Sequence, residues 1–224
     1  MTQWKMIYLA RRNPQLLPQA FPQAWREHSA LGRQCRNVQG KVLGVRQCSR
    51  MLEFPNVPVG ASADYDGVNL LQLRDRQVAD DIWDDEETQR IMRPDELRVF
   101  STYVRNFTLT VAETPLRDGA HTGFCVVLFL RGQQAGLLGA ERFHALAGTP
   151  WSAARRLVWN DVDGERPAGY AYDAIVEAWF DSVEQVRAVF SDRLVWKTLP
   201  GDLIGSIDAQ ASVCMLTHVT HQRP

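Results

Sequence analysis

The chain has 224 residues, of which 45% are hydrophobic, so it is long enough to bury one core or two. Its 25 basic and 26 acidic residues leave a net charge of −1, which argues against nucleic acid or an anionic membrane surface as a partner. No apolar segment reaches the length of a membrane span and the N-terminal residues lack the pattern of a signal peptide, so we expect a cytoplasmic protein.

The first half of the chain predicts the order strand, helix, strand, strand, helix, strand. Its first helix is indicated by Phe21, Ala24 and Trp25 at helical spacing, with Gly32 as a stop signal. The predicted elements cover residues 6–10, 18–32, 41–52, 65–73, 76–83 and 105–113.

A seam between two halves is predicted over residues 114–120, which contain Pro115 and the turn pair Asp118-Gly119. The second half then repeats the order of elements. We therefore expect two units, residues 1–116 and 117–224. The predicted elements of the second unit cover residues 124–130, 138–147, 156–162, 172–180, 182–190 and 213–220.

Residues 65–73 and 172–180 match at an offset of 107 positions, and each segment begins with a Tyr-Asp pair. A βαββαβ unit is a ferredoxin-like pattern, and the apolar face of its sheet needs a cover that a second copy can supply. We therefore predict an α+β fold in which two ferredoxin-like repeats form an intrachain α+β barrel. Because the Tyr-Asp pair recurs in both copies, we expect it to have a structural role.

The four cysteines are widely spaced and form no metal-binding pattern with histidine, so we expect buried, reduced thiols and no metal site. They are Cys35, Cys48, Cys125 and Cys214.

Three segments resemble the EthD-like family of the dimeric α+β barrel superfamily. The first is the opening strand over residues 7–12 with its Arg11, and the second is the pattern Phe-x-x-x-Trp-x-x-His that ends at His28. The third is the stretch over residues 172–182. Both halves are covered, so the chain is similar to a tandem version in which one polypeptide does what two subunits do elsewhere. The family often has a second histidine after the first, where this chain has Ser29.

The resemblance implies a hydrophobic pocket against each sheet and acid/base chemistry without an obligatory metal or other cofactor. Members of the wider superfamily include cofactor-free oxygenases, isomerases, cyclases and decarboxylases or dehydratases of polyketide intermediates, and the EthD domain is often grouped with oxidoreductases. The resemblance therefore implies a fold and a type of site more than one reaction.

Comparing the two halves at the fixed offset selects Glu177, which replaces Leu70, and His218, which replaces Val111. An ionisable group on an apolar strand is costly to bury unless it is paired, and a desolvated glutamate can have its pKa raised towards neutrality. We therefore predict an acid/base pair of Glu177 and His218 across a pocket in the second half. The alternative is that each lies at a strand end or on a solvated face.

Other candidates have weaker signals. His28 and Tyr8 are predicted catalytic groups, the first as a helix histidine and the second as a hydrogen-bond donor to substrate oxygen. Each also has a structural explanation, as a solvated helix edge and as a buried phenol with a satisfied hydroxyl. The predicted substrate-binding residues are Trp25, Arg11, Trp159 and Trp179.

These features favour a small-molecule enzyme of catabolism or secondary metabolism that acts on a hydrophobic aromatic or polyketide-like carbonyl compound. The alternative is a non-catalytic accessory protein that binds a hydrophobic ligand in the same pocket. A purely structural partner would need a large exposed apolar patch. Because fusion supplies the pairing that single-domain relatives obtain by dimerising, we expect a monomer or a homodimer.

Overall fold

The structure is a computed structural model that describes residues 2–54, 56–134, 136–143, 149–190 and 194–224. Its strands are β1 (Gln3–Ala10), β2 (Val42–Arg50), β3 (Gly67–Leu73), β4 (Thr108–Arg117), β5 (Phe124–Leu130), β6 (Arg156–Asp163), β7 (Ala174–Phe180) and β8 (Val213–Arg223). Its α-helices are α1 (Phe21–Leu31), α2 (Gln77–Asp81), α3 (Arg93–Val99), α4 (Ala140–Phe143), α5 (Val183–Phe190) and α6 (Gly201–Ile204). A π-helical segment covers Thr88–Met92.

The strands form a closed barrel in the order β1-β3-β2-β8-β5-β7-β6-β4, and every neighbouring pair is antiparallel. Strands of the first half are adjacent as β4-β1-β3-β2, and strands of the second half are adjacent as β8-β5-β7-β6. The barrel closes where β2 pairs with β8 and β4 pairs with β6. The predicted α+β barrel within a single chain is confirmed.

Successive side chains of each strand point alternately into the barrel and towards the helices. On β1, Lys5 points inward, where it meets Glu177 of β7, whereas Tyr8 points outward and its ring meets Phe107. Both faces of the wall are therefore buried, which explains the nearly continuous apolar runs of β5 and β7.

Different elements cover the two outer faces. In the first half, α1, α3 and the π-helical segment contact one another over the sheet. In the second half, α5 packs on β5 and β7 beside a cluster of large aromatic side chains. That cluster includes Phe143, Trp151, Trp159, Phe180 and Phe190.

Some predicted elements differ from the observed ones. Strand β5 matches its prediction residue for residue, but β4 continues to Arg117, so the first four residues of the predicted seam are strand. The predicted helix at 76–83 is only the short α2, and α3 was not predicted. The predicted helix at 138–147 is observed as α4, and its residues 144–147 lie outside the described part of the chain.

Candidate functional site

A cavity of about 90 Å³ lies between the outer face of the first sheet and its helices. Its floor is a row of polar side chains: Tyr8 on β1 pairs with Asn69 on β3, which pairs with Gln47 on β2. Directly opposed residues share one face of a sheet, so all three point towards the helices. Trp25 and His28 of α1 face this row from above, and most of the remaining lining is apolar.

His28 is held in a fixed orientation by α3. Its Nδ1 lies 2.9 Å from Asp95 Oδ2, and Arg98 Nε donates a hydrogen bond of 2.6 Å to the other oxygen of the same carboxylate. An aspartate partner places the proton on Nδ1 and leaves Nε2 as the free base. Within the described residues Nε2 has no hydrogen-bond partner. The ring can therefore exchange a proton with a molecule in the cavity.

The ionisation of His28 suits a base. Burial lowers the pKa of His28 below its ordinary value of 6.5, although the hydrogen bond and charge of Asp95 act in the opposite direction. The imidazole is therefore neutral near pH 7 despite its carboxylate neighbour.

Tyr8 supplies a phenol donor to the same cavity. Burial, and to a smaller extent the nearby Glu96, raise the pKa of Tyr8 far above its ordinary value, so the hydroxyl stays protonated. Glu96 itself accepts a 2.8 Å hydrogen bond from the Val104 amide, and burial raises the pKa of Glu96. A neutral base and a neutral donor thus line one space.

The shape of the cavity depends on a close approach between Trp25 and β3. The indole stacks on Phe21 with ring centroids 5.0 Å apart, and it also lies against Gly67. A Cβ atom at position 67 would be 2.5 Å from the Trp25 ring, so glycine is required there. The second half has Ala174 at the matching position, and its predicted first helix contains no tryptophan.

We expected the working pocket in the second half. Within the described residues of that half, the outer face of the sheet is instead filled by the aromatic cluster around Trp151 and Trp159. Three of the predicted catalytic or substrate-binding residues, Tyr8, Trp25 and His28, lie together in the first-half cavity. The Tyr-Asp pairs have a structural role, because Asp66 and Asp173 each accept a backbone N–H from a neighbouring strand end.

Glu177 lies inside the barrel. Its Oε1 is 2.6 Å from Lys5 Nζ and accepts a hydrogen bond of 3.0 Å from Asn160, while Trp179 Nε1 donates to Oε2 at 3.1 Å. Burial opposes ionisation, but the charge and hydrogen bond of Lys5, together with the hydrogen bond from Asn160 and the charge of His121, outweigh it and lower the pKa of Glu177. The expected rise of this pKa is wrong, because the sequence does not show that Lys5 faces the carboxylate.

The same interior cluster contains a second carboxylate. Glu113 Oε2 lies 2.7 Å from Lys5 Nζ, and Glu113 Oε1 accepts a hydrogen bond from Arg156. Lys5 and Glu113 belong to the first half, whereas Arg156 and Glu177 belong to the second. The cluster therefore connects the two halves through buried ion pairs.

His121 should make the protein less stable in acid. Its ring packs edge-on against Trp179, with centroids 4.8 Å apart, and burial together with Arg46 lowers the pKa of His121 to about 4. Between pH 6.5 and about 4 the unfolded chain binds the proton and the folded chain does not, so stability falls as the pH falls through this range.

We predict that His121→Phe reduces this acid-side loss of unfolding free energy by about 2 kcal/mol or less. Urea unfolding of both proteins at pH 7 and pH 5 measures the difference. Because the other histidines contribute equally to both proteins, an identical loss in the variant would contradict the assignment.

The offset between the halves changes at the last strand. In the first half, Leu109 of β4 lies level with Leu70 of β3, with β1 between them. In the second half, Met215 of β8 lies level with Glu177 of β7 in the same way, with β5 between them. Strands β4 and β8 therefore correspond at an offset of 106 residues instead of 107. A slip of one residue changes the face of every side chain. The predicted correspondence of His218 with an inward-facing valine is wrong.

His218 and Glu177 lie on opposite faces of the barrel wall, so the predicted acid/base pair across one pocket is not formed. His218 instead lines an open groove with Arg50 and Arg187, and burial lowers its pKa. The sequence pattern located both strands correctly but could not show which way each side chain points.

The remaining predicted binding residues lie apart from one another. Trp179 faces the barrel interior, whereas Trp159 faces the helices and donates to Asp161 Oδ1 at 2.7 Å. Arg11 lies outside the cavity, in an open groove, where it donates to the Asp64 carbonyl at 3.1 Å and covers the ring of Tyr65. None of the three shares the cavity of His28.

In the part of the chain that the structure describes, no group of three or more histidine, cysteine, aspartate or glutamate side chains is arranged to hold a metal ion. The helices of the same residues include none with the length and apolar character that crossing a membrane requires.

No protein-family model matches this sequence, and no curated protein is significantly similar to it. Solved structures are similar in fold. A candidate monooxygenase from Lactobacillus acidophilus NCFM has a TM-score of 0.52 at 6% identity, with 99% of this chain and 95% of that chain covered. A candidate monooxygenase from Fusobacterium nucleatum has a TM-score of 0.52 at 7% identity, with 99% and 93% covered.

A mutant chlorite dismutase from Candidatus Nitrospira defluvii has a TM-score of 0.52 at 12% identity, and the alignment covers 97% of this chain and 90% of that chain. The protein has a dimeric α+β barrel fold. At these identities the likeness of the three barrels shows their fold alone.

Sequence reasoning missed two cavity residues, Gln47 and Asn69, and also Asp95, which holds His28. Asp95 lies in the first turn of α3 after Pro94, and proline followed by acidic residues is a signal for a helix start. Asn69 and Gln47 are polar residues in the middle of strands, which is the same signal that selects Glu177. Their facing direction comes only from the barrel register.

Proposed function

We propose that this protein is a small-molecule enzyme that uses His28 as a general base on an apolar carbonyl or phenolic compound bound in the first-half cavity. One observation carries the proposal: a neutral, almost fully buried imidazole, fixed by Asp95, faces a mostly apolar cavity that also contains Tyr8. No cofactor enters the proposed chemistry.

In this proposal His28 Nε2 accepts a proton from a substrate hydroxyl or from the carbon next to a carbonyl. The charge that forms on the ring is stabilised by the Asp95 carboxylate, 2.9 Å from Nδ1. Tyr8, which remains protonated, donates a hydrogen bond to the substrate oxygen on which negative charge develops. Each group thus acts in the protonation state that its surroundings favour.

Such a proton transfer begins several reactions. In an isomerase the proton returns to another atom of the substrate, in a lyase or dehydratase a leaving group departs, and in an oxygenase molecular oxygen accepts the electrons. We favour the oxygenase type, an oxidoreductase, because two proteins of similar fold are candidate monooxygenases. The aromatic or polyketide-like substrate class is part of the same proposal.

We also propose the family of this protein, its oligomeric state and its cellular location. The pattern that ends at His28 supports the EthD-like branch, and the shared order of strands in the two halves supports two ferredoxin-like repeats. One chain closes the barrel, so a monomer is sufficient and a homodimer is compatible. We propose a cytoplasmic protein whose partner is a hydrophobic small molecule and neither nucleic acid nor membrane.

The alternative is an accessory protein that binds a hydrophobic ligand without converting it. The observation in its favour is the cavity volume of about 90 Å³, which is small for a polycyclic substrate. A binder would be stabilised thermally by compounds that it does not change, whereas an enzyme would consume them. Product analysis beside each thermal shift separates the two functions.

The pH dependence of turnover tests the proposed base. A panel of phenolic ketones, followed by oxygen uptake and by deuterium exchange, should yield a substrate whose kcat/KM falls on the acid side with a midpoint below 6.5. His28 must be neutral to accept a proton, and its pKa is lowered. Because Asp95 raises that pKa, Asp95→Asn should move the midpoint to still lower pH. A midpoint above 6.5, or no acid limb down to about pH 4, would count against His28.

A further inference from the structure

The floor of the cavity contains two buried hydrogen-bond acceptors without donors. Gln47 is 1% exposed and Asn69 is 5% exposed, and neither Gln47 Oε1 nor Asn69 Oδ1 has a partner among the described residues. The orientation of Gln47 is fixed, because its Nε2 donates to the Trp25 carbonyl at 3.2 Å. Leaving a buried acceptor unpaired is unfavourable, so the pair favours a ligand that brings hydrogen-bond donors.

The same cavity also contains a cation. Arg223 of β8 lines it, and its buried Nε has no hydrogen-bond partner in the described residues. Burial and the neighbouring Arg33 lower the pKa of Arg223, and no carboxylate forms an ion pair with either arginine in the described chain. The guanidinium lies against Gly32 at the C-terminal end of α1. Because neither arginine has an acidic partner among the described residues, this part of the cavity favours an anion.

We propose that the ligand of this cavity is a small hydroxy acid, whose carboxylate is bound by Arg223 and whose hydroxyl donates to Gln47 or Asn69. Arg223 and Gln47 lie on neighbouring strands, because Arg223 pairs with Val45, two residues before Gln47 on β2. The polar groups thus lie along one edge of the ligand, and its apolar body faces Trp25 and Trp83.

This inference deepens the proposed function and rests on it, because it names the substrate class of the same cavity. An aromatic hydroxy acid has a hydroxyl that can donate to the acceptors on Gln47 and Asn69 and an apolar ring that suits the lining. Gln47, Asn69 and Arg223 are then the residues that determine specificity. The cavity volume of about 90 Å³ excludes ligands with more than one ring.

Calorimetric titration with three probes tests the inference on the unmodified protein. The probes are 2-hydroxybenzoate, benzoate, which lacks the hydroxyl, and phenol, which lacks the carboxylate. We expect 2-hydroxybenzoate to bind about three- to tenfold more tightly than benzoate. It should bind at least about tenfold more tightly than phenol. Equal affinities for the three probes, or no binding below about 10 mM, would overturn the inference.

Two variants assign the contacts. Arg223→Gln should weaken the binding of 2-hydroxybenzoate and of benzoate about tenfold or more. The affinity for phenol should change by no more than about twofold. Gln47→Leu should lower the affinity for 2-hydroxybenzoate until it is close to the affinity for benzoate. Arg155→Gln, which removes an equal charge from an exposed site in the second half, is the matched control and should change none of the affinities. An equal effect of Arg155→Gln and Arg223→Gln would overturn the assignment.

The two proposals fail separately. If His28→Ala keeps the order of probe affinities and also keeps full turnover, the proposed catalytic base is wrong and the hydroxy acid site stands. If His28→Ala removes turnover while the three probes bind equally, the base stands and the substrate class is wrong.

Discussion

Replacing Lys5 by methionine should lower the free energy of unfolding at pH 7 by about 3–5 kcal/mol, the largest stability effect that we expect in this protein. Lys5 Nζ lies 2.6 Å from Glu177 Oε1 and 2.7 Å from Glu113 Oε2, and both carboxylates are inside the barrel. Without the ammonium group, Glu177 keeps only the neutral donors Asn160 and Trp179. An unpaired buried charge is far less stable than a buried pair.

The double variant Lys5→Met/Glu177→Leu is the matched control. Leucine is the residue that the first half has at the equivalent inward position, Leu70, and in the double variant Glu113 still pairs with Arg156. We expect it to recover most of the lost stability, because apolar replacement of a whole buried pair is often neutral. Urea unfolding of the single and double variants measures the coupling. A loss below about 1 kcal/mol for Lys5→Met, or a double variant no more stable than the single, would show that the pair is not coupled.

The ion pairs also explain why the two halves form one closed barrel. Two of the pairs join a residue of the first half to a residue of the second: Lys5 with Glu177, and Glu113 with Arg156. Apolar contacts are tolerant of small shifts, whereas charged hydrogen bonds specify their partners. The interior cluster therefore favours one alignment of the two sheets over its neighbours.

The strands were the predictable part of this fold. A wall that is buried on both faces produces apolar runs, and β5 was located residue for residue from such a run. The repeat was equally informative, because a duplicated unit predicts the closed α+β barrel. Local sequence is sufficient for these features, since they depend on composition over a few residues.

Side-chain direction was not predictable. A correspondence between halves that is wrong by one residue on β8 reverses the face of His218, and sequence similarity does not resolve such a slip. The partner of Glu177 lies 172 residues away in the chain, and Asp95 lies 67 residues from His28. The site could not be assembled from sequence because contacts at such separations follow from the barrel register and from the packing of α3 on α1.

The second large effect is on turnover. We expect His28→Ala to lower kcat about 10²- to 10⁴-fold with little change in ligand affinity, because the ring acts on a proton in the transition state and does not anchor the substrate. Asp95→Asn should cause a smaller loss, because it leaves the imidazole in place and removes only the charge that stabilises the protonated ring. Steady-state kinetics with a substrate from the phenolic panel measures both.

His218→Ala is the matched control for this experiment. It removes a histidine whose pKa is also lowered by burial, but from a groove that does not include His28, Tyr8 or Trp25. Both histidines have a pKa lowered by burial, so a lowered pKa does not by itself make a histidine catalytic. We expect His218→Ala to leave kcat unchanged and His28→Ala to lower it strongly. The catalytic histidine is then selected by the fixed aspartate and the enclosed apolar cavity. If His218→Ala lowers kcat and His28→Ala does not, the active site lies in the open groove that His218 lines, and the first-half cavity has no catalytic role.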